Sequence, residues 1–419
     1  MGQPERPAKC SDTSDTSETV IYRGAYPVGY YKFASWFVSG DAEASVLRIR
    51  AANSLLATVL ISGALAVSRR RLRSAFVASL LLGLGPLHLS LIASTHQQSW
   101  SIAAVMTGWV FAHVVFDNRI GPVRLFAGGL WLVGMAMAVS SRWEGGPYYA
   151  ALSALAVIPR VATWHLDPRR KRVVALAIAG LLLATQIPNW TFSARRWFGG
   201  VNTTPLNPSG PDVWTWFSSW LIHFPSVAME IFGGGGMATD DVRIPSLGPT
   251  FGPLLLGGVC AFALARVSRI QIASAMAQVV VIFLSILYFT NIELDLLTLP
   301  GRYITPLVGP LVGLLIFQSP STPQFLDVVP LKRMFFVSFG VFHAIALHSF
   351  VERFVVGTRE SISLMSINTE SWWWERALIG PNAAVALGSG YFSVLLVATW
   401  YITQSPESSD PSERAAADA

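Results

Sequence analysis

VLRIRAANSLLATVLISGALAVSRRRLR, Val46 to Arg73, decides the fold. From Ala51 to Ser68 it carries no charge, and four arginines follow between Arg69 and Arg73. An apolar run of this length is about what a helix needs to cross a hydrocarbon core. Lipid offers no hydrogen-bond partner to the backbone, so such a run satisfies its own peptide groups as a helix. The basic cluster that ends it reads as a topology signal held on the cytoplasmic side.

The same pattern recurs along the chain. Of the 419 residues, 52% are hydrophobic and 13% charged, against about 25% charged in a soluble domain. Apolar runs fall at about 46–68, 74–94, 99–116, 124–141, 147–166, 173–189, 247–267, 270–290, 302–318, 334–351 and 382–402. The reading is an all-α, polytopic transmembrane helical bundle of about eleven spans. Alternating from Arg69–Arg73 puts DPRRKR (Asp167 to Arg172), ARVSR and PLKR near Lys332 on the same inner side. The loops of about 190–246 and 352–381 fall outside, and the C-terminus inside. The net charge is +6, but its basic residues sit in short loops between spans rather than on one soluble face. That distribution excludes nucleic acid as a partner.

Residues 1–25 are polar and Ser/Thr-rich, residues 26–403 form the membrane domain, and 404–419 form a polar cytoplasmic tail. Both ends are read as disordered. The alternation places residues 1–45 outside, which calls for a further helix ahead of them. Otherwise residues 26–39, YPVGYYKFASWFVS, enter the membrane as a short segment. Cys10 and Cys260 are too far apart in sequence and too few to suggest a disulfide framework or a thiolate metal site.

Chemistry gathers on the predicted outer side. DVWTWFSSWLIHF, Asp212 to Phe224, places Thr215, Ser218, Ser219 and His223 on one stripe of an amphipathic interfacial helix. Asp240 and Asp241 could hold a divalent cation or act as a base, or be a solvated pair beside Arg243. His96, in STHQQSW, reads as a hydrogen-bonded residue at a helix junction. Glu144, in SRWEGGPYY, reads as an ion-pair partner of Arg142. In TLPGRYITPLVGPLVG, Thr298 to Gly313, Arg302 stands at the outer mouth of a span beside Tyr303. A guanidinium there either forks onto phosphate oxygens or snorkels to headgroups as an anchor. Gly309 and Gly313 form a small-residue face for close helix packing.

Four stretches carry a resemblance. AYPVGYYKF (Ala25–Phe33), VLRIRAANSLLA (Val46–Ala57), GMATDDVRIPSL (Gly236–Leu247) and PGRYITPL (Pro300–Leu307) occur in the order seen in a bacterial, largely actinobacterial membrane family, domain of unknown function 2142. The chain resembles that family over about residues 25–400. The family is in turn similar in layout to the C superfamily of integral-membrane glycosyltransferases. The resemblance implies a multi-pass protein of the bacterial cytoplasmic membrane that takes a polyprenyl-phosphate sugar at the outer face. It implies Arg302 and Tyr303 as binders of the lipid-linked phosphate, and Tyr30, Tyr31, Arg48, His96 and Glu144 as candidates for the outer pocket. The family's acidic loop has no counterpart here, which leaves Asp240 or Asp241 as the catalytic acid. His96-Gln97-Gln98 stands where relatives tend to carry an Asn-x-Asp-like pair, and Tyr26 replaces the histidine of the HPP element.

The expectation is therefore a glycosyltransferase-like protein of cell-envelope assembly, with membrane lipids and a lipid-linked donor as partners. No cofactor is evident beyond a possible divalent cation. A transporter or flippase of an anionic substrate, and a non-catalytic lipid-binding partner, are the rival readings.

Overall fold

The structure is a computed structural model. It describes residues 27–84, 86–117, 121–142, 144–163, 305–318, 329–356 and 379–404, together with Met276. Among these, 88% are helical and none lies in a strand. Ten helices follow in order: α1 Val28–Ser35, α2 Ala42–Val67, α3 Arg70–Gly83, α4 Pro86–Ile92, α5 Gln98–Val115, α6 Pro122–Ser141, α7 Gly145–Thr163, α8 Thr305–Gln318, α9 Val329–Val356 and α10 Pro381–Gln404. Within the described residues, α2 and α5 to α10 fall on apolar runs expected from the sequence, and α1 lies within the 26–39 segment.

Among the described residues, three helical stretches are long and apolar enough to cross a membrane: Ala42–Val67, Pro122–Ser141 and Pro381–Tyr401. Each buries a narrow stripe. On α2 the buried residues are Ser45, Ile49, Asn53, Ala57, Leu60, Gly63, Ala64 and Val67, three or four apart as one face of a helix requires. Leu55 and Val59 of α2 and Leu125, Phe126, Leu132 and Val133 of α6 stay exposed, as lipid-facing side chains would.

α5 is built differently. From Gln98 to His113 every residue is buried, so this helix forms the centre, with α2, α3, α6, α7 and α8 packed around it. A helix apolar on all sides belongs in the interior. Small residues set its distances: a Cβ on Gly108 would meet the ring of Tyr149 on α7. The Tyr149 hydroxyl donates to the Trp131 carbonyl of α6 at 2.5 Å, which ties α6 to α7.

The run expected at 74–94 departs from one continuous span. α3 ends at Gly83, with a last hydrogen bond from Leu84 N to Leu80 O at 2.8 Å, and α4 starts afresh at Pro86. Proline has no N–H to continue the ladder, and its ring clashes with the preceding turn. α8 lies antiparallel along α3. A Cβ on Gly309 would meet the Ser79 carbonyl and, at 2.8 Å, the Gly83 Cα; one on Gly313 would stand 2.8 Å from the Ser79 Cβ and 2.9 Å from Trp109. The Gly309–Gly313 face is thus where two backbones touch.

α9 runs past the expected 334–351 and takes in Lys332 and Glu352. Lys332 is not a solvated loop cation. It is 2% exposed, its Nζ donates to the Trp400 carbonyl at 3.1 Å and lies 4.2 Å from the Trp400 ring centre. The C-terminal end of a helix attracts positive charge, so Lys332 sits where the last turns of α10 favour a cation.

The helices give the bundle two ends. At one end stand Arg69–Arg73, the C-terminus of α5 and the C-terminus of α8, where Phe317 meets His113 at 4.5 Å and Arg71 at 5.7 Å. At the other end stand α1, the 93–97 connection, the α6–α7 connection and the first turn of α8.

Candidate functional site

The second end collects the polar groups. α1 is eight residues long, about 12 Å, so it cannot span a bilayer. It lies across the end of the bundle, with Gly29 against Ser140 of α6. That close approach tucks Tyr30 inward to 1% exposure. The Tyr30 hydroxyl donates to the Thr95 carbonyl at 2.6 Å and accepts from Asn53 Nδ2 at 3.1 Å. Asn53 Nδ2 also donates to the Ser94 carbonyl at 2.8 Å. Asn53 Oδ1 accepts from Trp100 Nε1 at 3.1 Å. Indole nitrogen can only donate, so this contact fixes which way the Asn53 amide points. The Trp100 ring stands edge-on to Tyr30 at 5.3 Å and packs on Phe33 at 4.8 Å.

The 93–97 connection is held from both sides. Arg50 Nε donates to the Ala93 carbonyl at 2.8 Å. His96 is half-buried; its Nδ1 accepts from the Gln98 N–H at 3.1 Å, and its own N–H reaches Ser94 Oγ at 3.0 Å. The ring thereby satisfies one of the open N–H groups at the start of α5. In the α6–α7 connection, Arg142 and Glu144 form an ion pair with side chains 5% and 5% exposed. Glu144 also accepts from the Tyr148 N–H through its carbonyl at 3.0 Å, so it sits at the start of α7, where a negative charge is favoured.

Of the pocket candidates, the structure brings Tyr30, Tyr31, His96 and Glu144 to this end. Tyr31 is 46% exposed and stands edge-on to Tyr30 at 5.7 Å. Arg48 does not join them: it lies on the exposed side of α2, off the Ile49–Asn53 stripe, because a helix turns by about 100° per residue. Sequence reasoning missed Asn53 and Arg50. The signal for Asn53 was present: it is an amide in a stretch that carries no charge from Ala51 to Ser68.

Asp240, Asp241, Arg302 and Tyr303 lie outside the described residues, as do the expected interfacial helix, the spans at 173–189, 247–267 and 270–290, and both termini. The helix that follows Arg302, α8, begins at the end that holds the Tyr30 cluster. Among the described residues no three His, Cys, Asp or Glu side chains gather to hold a metal ion.

In comparisons with known proteins, no family model, no curated protein and no solved structure matches the chain.

Proposed function

We propose that the chain is a glycosyltransferase-like, multi-pass protein of about eleven spans in the bacterial cytoplasmic membrane, with its C-terminus on the cytoplasmic side. On this reading it uses a polyprenyl-phosphate sugar at the outer face for cell-envelope glycan assembly. Arg302 holds the donor phosphate and stabilises the charge that develops as phosphate departs, Tyr303 supports the headgroup, and Asp240 or Asp241 serves as the acid or base. The observation that carries the reading is one of placement. Tyr30, Tyr31, Trp100 and the Arg142–Glu144 pair gather at the end of the bundle where α8 begins, and Arg302 precedes α8 by three residues.

A second observation favours the non-catalytic lipid-binding reading. Tyr30, Asn53, His96 and Glu144 all make contacts within the protein, which suits a scaffold that seats a lipid as well as it suits an enzyme. One experiment separates the two: purified protein is incubated with polyprenyl-phosphate sugars, while lipid binding is followed in parallel. The transferase reading expects sugar release or transfer that Arg302→Ala abolishes. Binding that Arg302→Ala weakens, with no turnover in the parent protein, establishes the scaffold. Binding unchanged in both Arg302→Ala and Arg302→Lys removes the phosphate role.

A further inference from the structure

α1 turns one side to the protein and leaves the other uncovered. Tyr30 and Phe33 face inward: the Tyr30 hydroxyl meets Asn53 Nδ2 at 3.1 Å, and Phe33 packs on Trp100 at 4.8 Å. Val28, Lys32 and Trp36 follow one another at four-residue steps, so they share the other side of the helix. All three are exposed, as are Tyr31 and Val38; Trp36 keeps 79% of its surface open. These residues are not on a free loop. Past the end of α1 the turns continue, with hydrogen bonds from Trp36 N to Phe33 O at 3.1 Å, Phe37 N to Ala34 O at 3.0 Å and Val38 N to Ser35 O at 3.3 Å. The Ser39 N–H then donates to Ser45 Oγ on α2 at 2.8 Å.

Two contacts with α2 therefore fix the level of this segment, Tyr30 with Asn53 at its start and Ser39 with Ser45 at its end. Ser45 and Asn53 are separated by about 12 Å of helix. The uncharged stretch of α2 begins between them, at Ala51. If α2 spans the membrane, the edge of the hydrocarbon falls there, and a headgroup layer of about 5–8 Å lies above it. Tyrosine and tryptophan collect at that depth, and a lysine stem can lie on apolar surface while its ammonium stays among polar headgroups. The uncovered side continues into exposed apolar residues of α2: Val46 and Leu47, then Leu55 and Val59. We infer that residues 28–38 are an interfacial membrane anchor, with Val28, Tyr31, Lys32, Trp36 and Val38 seated in the lipid headgroup layer at this end of the bundle. The 26–39 segment then lies along the surface of the bilayer instead of plunging into it. The inference rests on the membrane-spanning reading of α2 and stands independently of sugar transfer.

The test uses the full chain in phospholipid vesicles, with Cys10 and Cys260 replaced and one nitroxide label at a time. Val28→Cys, Lys32→Cys and Trp36→Cys report on the segment, and Val46→Cys, Leu55→Cys and Val59→Cys on α2 serve as a ruler. Every site is exposed, so a label there displaces no packed side chain. Depth is read from the ratio of collisions with O2, which enters lipid, to collisions with a nickel chelate, which stays in water. The Val59 label should lie about 6 Å deeper than the Leu55 label. The labels at 28, 32 and 36 are expected at depths between those of Val46 and Leu55. Three results would overturn the inference: labels that meet only the nickel chelate, as on a surface in water; labels that meet neither reagent, as on a face covered by protein; or labels deeper than Val59, as in a segment that enters the bilayer. A ruler without a gradient would instead remove the spanning reading of α2, and the inference with it.

Discussion

Asn53 shows how much one polar side chain can organise. It is 1% exposed and links Tyr30 on α1, Ser94 in the 93–97 connection and Trp100 on α5. Replacing it with leucine strands the Trp100 N–H and the Ser94 carbonyl, at about 1–3 kcal/mol for each buried group left unsatisfied. Asn53→Leu is therefore expected to lower the melting temperature in detergent, with Trp100 fluorescence shifting as the indole loses its partner. Tyr30→Phe keeps the ring and loses the bond to Thr95, so a smaller loss of about 1 kcal/mol is expected. The same residue gives a pH dependence. Burial pushes the Tyr30 phenol above its ordinary 10.0, aided by Tyr31 and opposed by the Asn53 donation. The unfolded chain then releases this proton first, so the contribution of Tyr30 is present below about pH 10 and declines as pH rises through its folded value. A stability titration above that point should show a descending limb that Tyr30→Phe removes. An identical limb in the variant would mean that other groups cause it.

At the scale of the element, glycine and proline set the contacts. α8 can lie on α3 because Gly309 and Gly313 present no side chain to Ser79 and Gly83. Gly309→Leu places a side chain against backbone, which a flexible neighbour cannot relieve. Overpacking of this kind costs typically about 1–3 kcal/mol, and the expected readout is faster proteolysis or cross-link loss between α3 and α8. Gly390 of α10 offers a control, since a Cβ there meets nothing within 4 Å, and Gly390→Ala should be close to neutral. Lys332 offers a second test. Lys332→Met retains the apolar stem and removes the donor to Trp400 O, so amide exchange should quicken over the last turn of α10 while α9 is unchanged. Protection that stays equal over residues 400–404 would show that the contact is dispensable.

For the whole molecule, the decisive feature is which groups share an end. Arg71 meets Phe317 at one end, and Tyr30 meets Thr95 at the other. Single cysteines placed at Arg71 and Thr95, with Cys10 and Cys260 removed, are predicted to react with impermeant reagents from opposite sides of sealed vesicles. Labelling of both from one side would refute the alternation. Much of this was legible beforehand: the helices α2 and α5 to α10 fall on expected apolar runs, because length and uncharged composition are enough to define a helix in lipid. The site was less legible. Arg48 and Arg50 stand two residues apart, yet only Arg50 reaches the 93–97 connection, and no spacing rule says which of two arginines a distant loop will meet.

The sequence by itself determined the helical class and the small-residue face at Gly309 and Gly313. Each follows from local chemistry: backbone hydrogen bonding in an apolar medium and a missing side chain. Only the tertiary structure decided that Asn53 is a hub and that Lys332 is buried against Trp400 rather than solvated. Those facts depend on what another helix places within a few ångströms, and long-range packing fixes such distances.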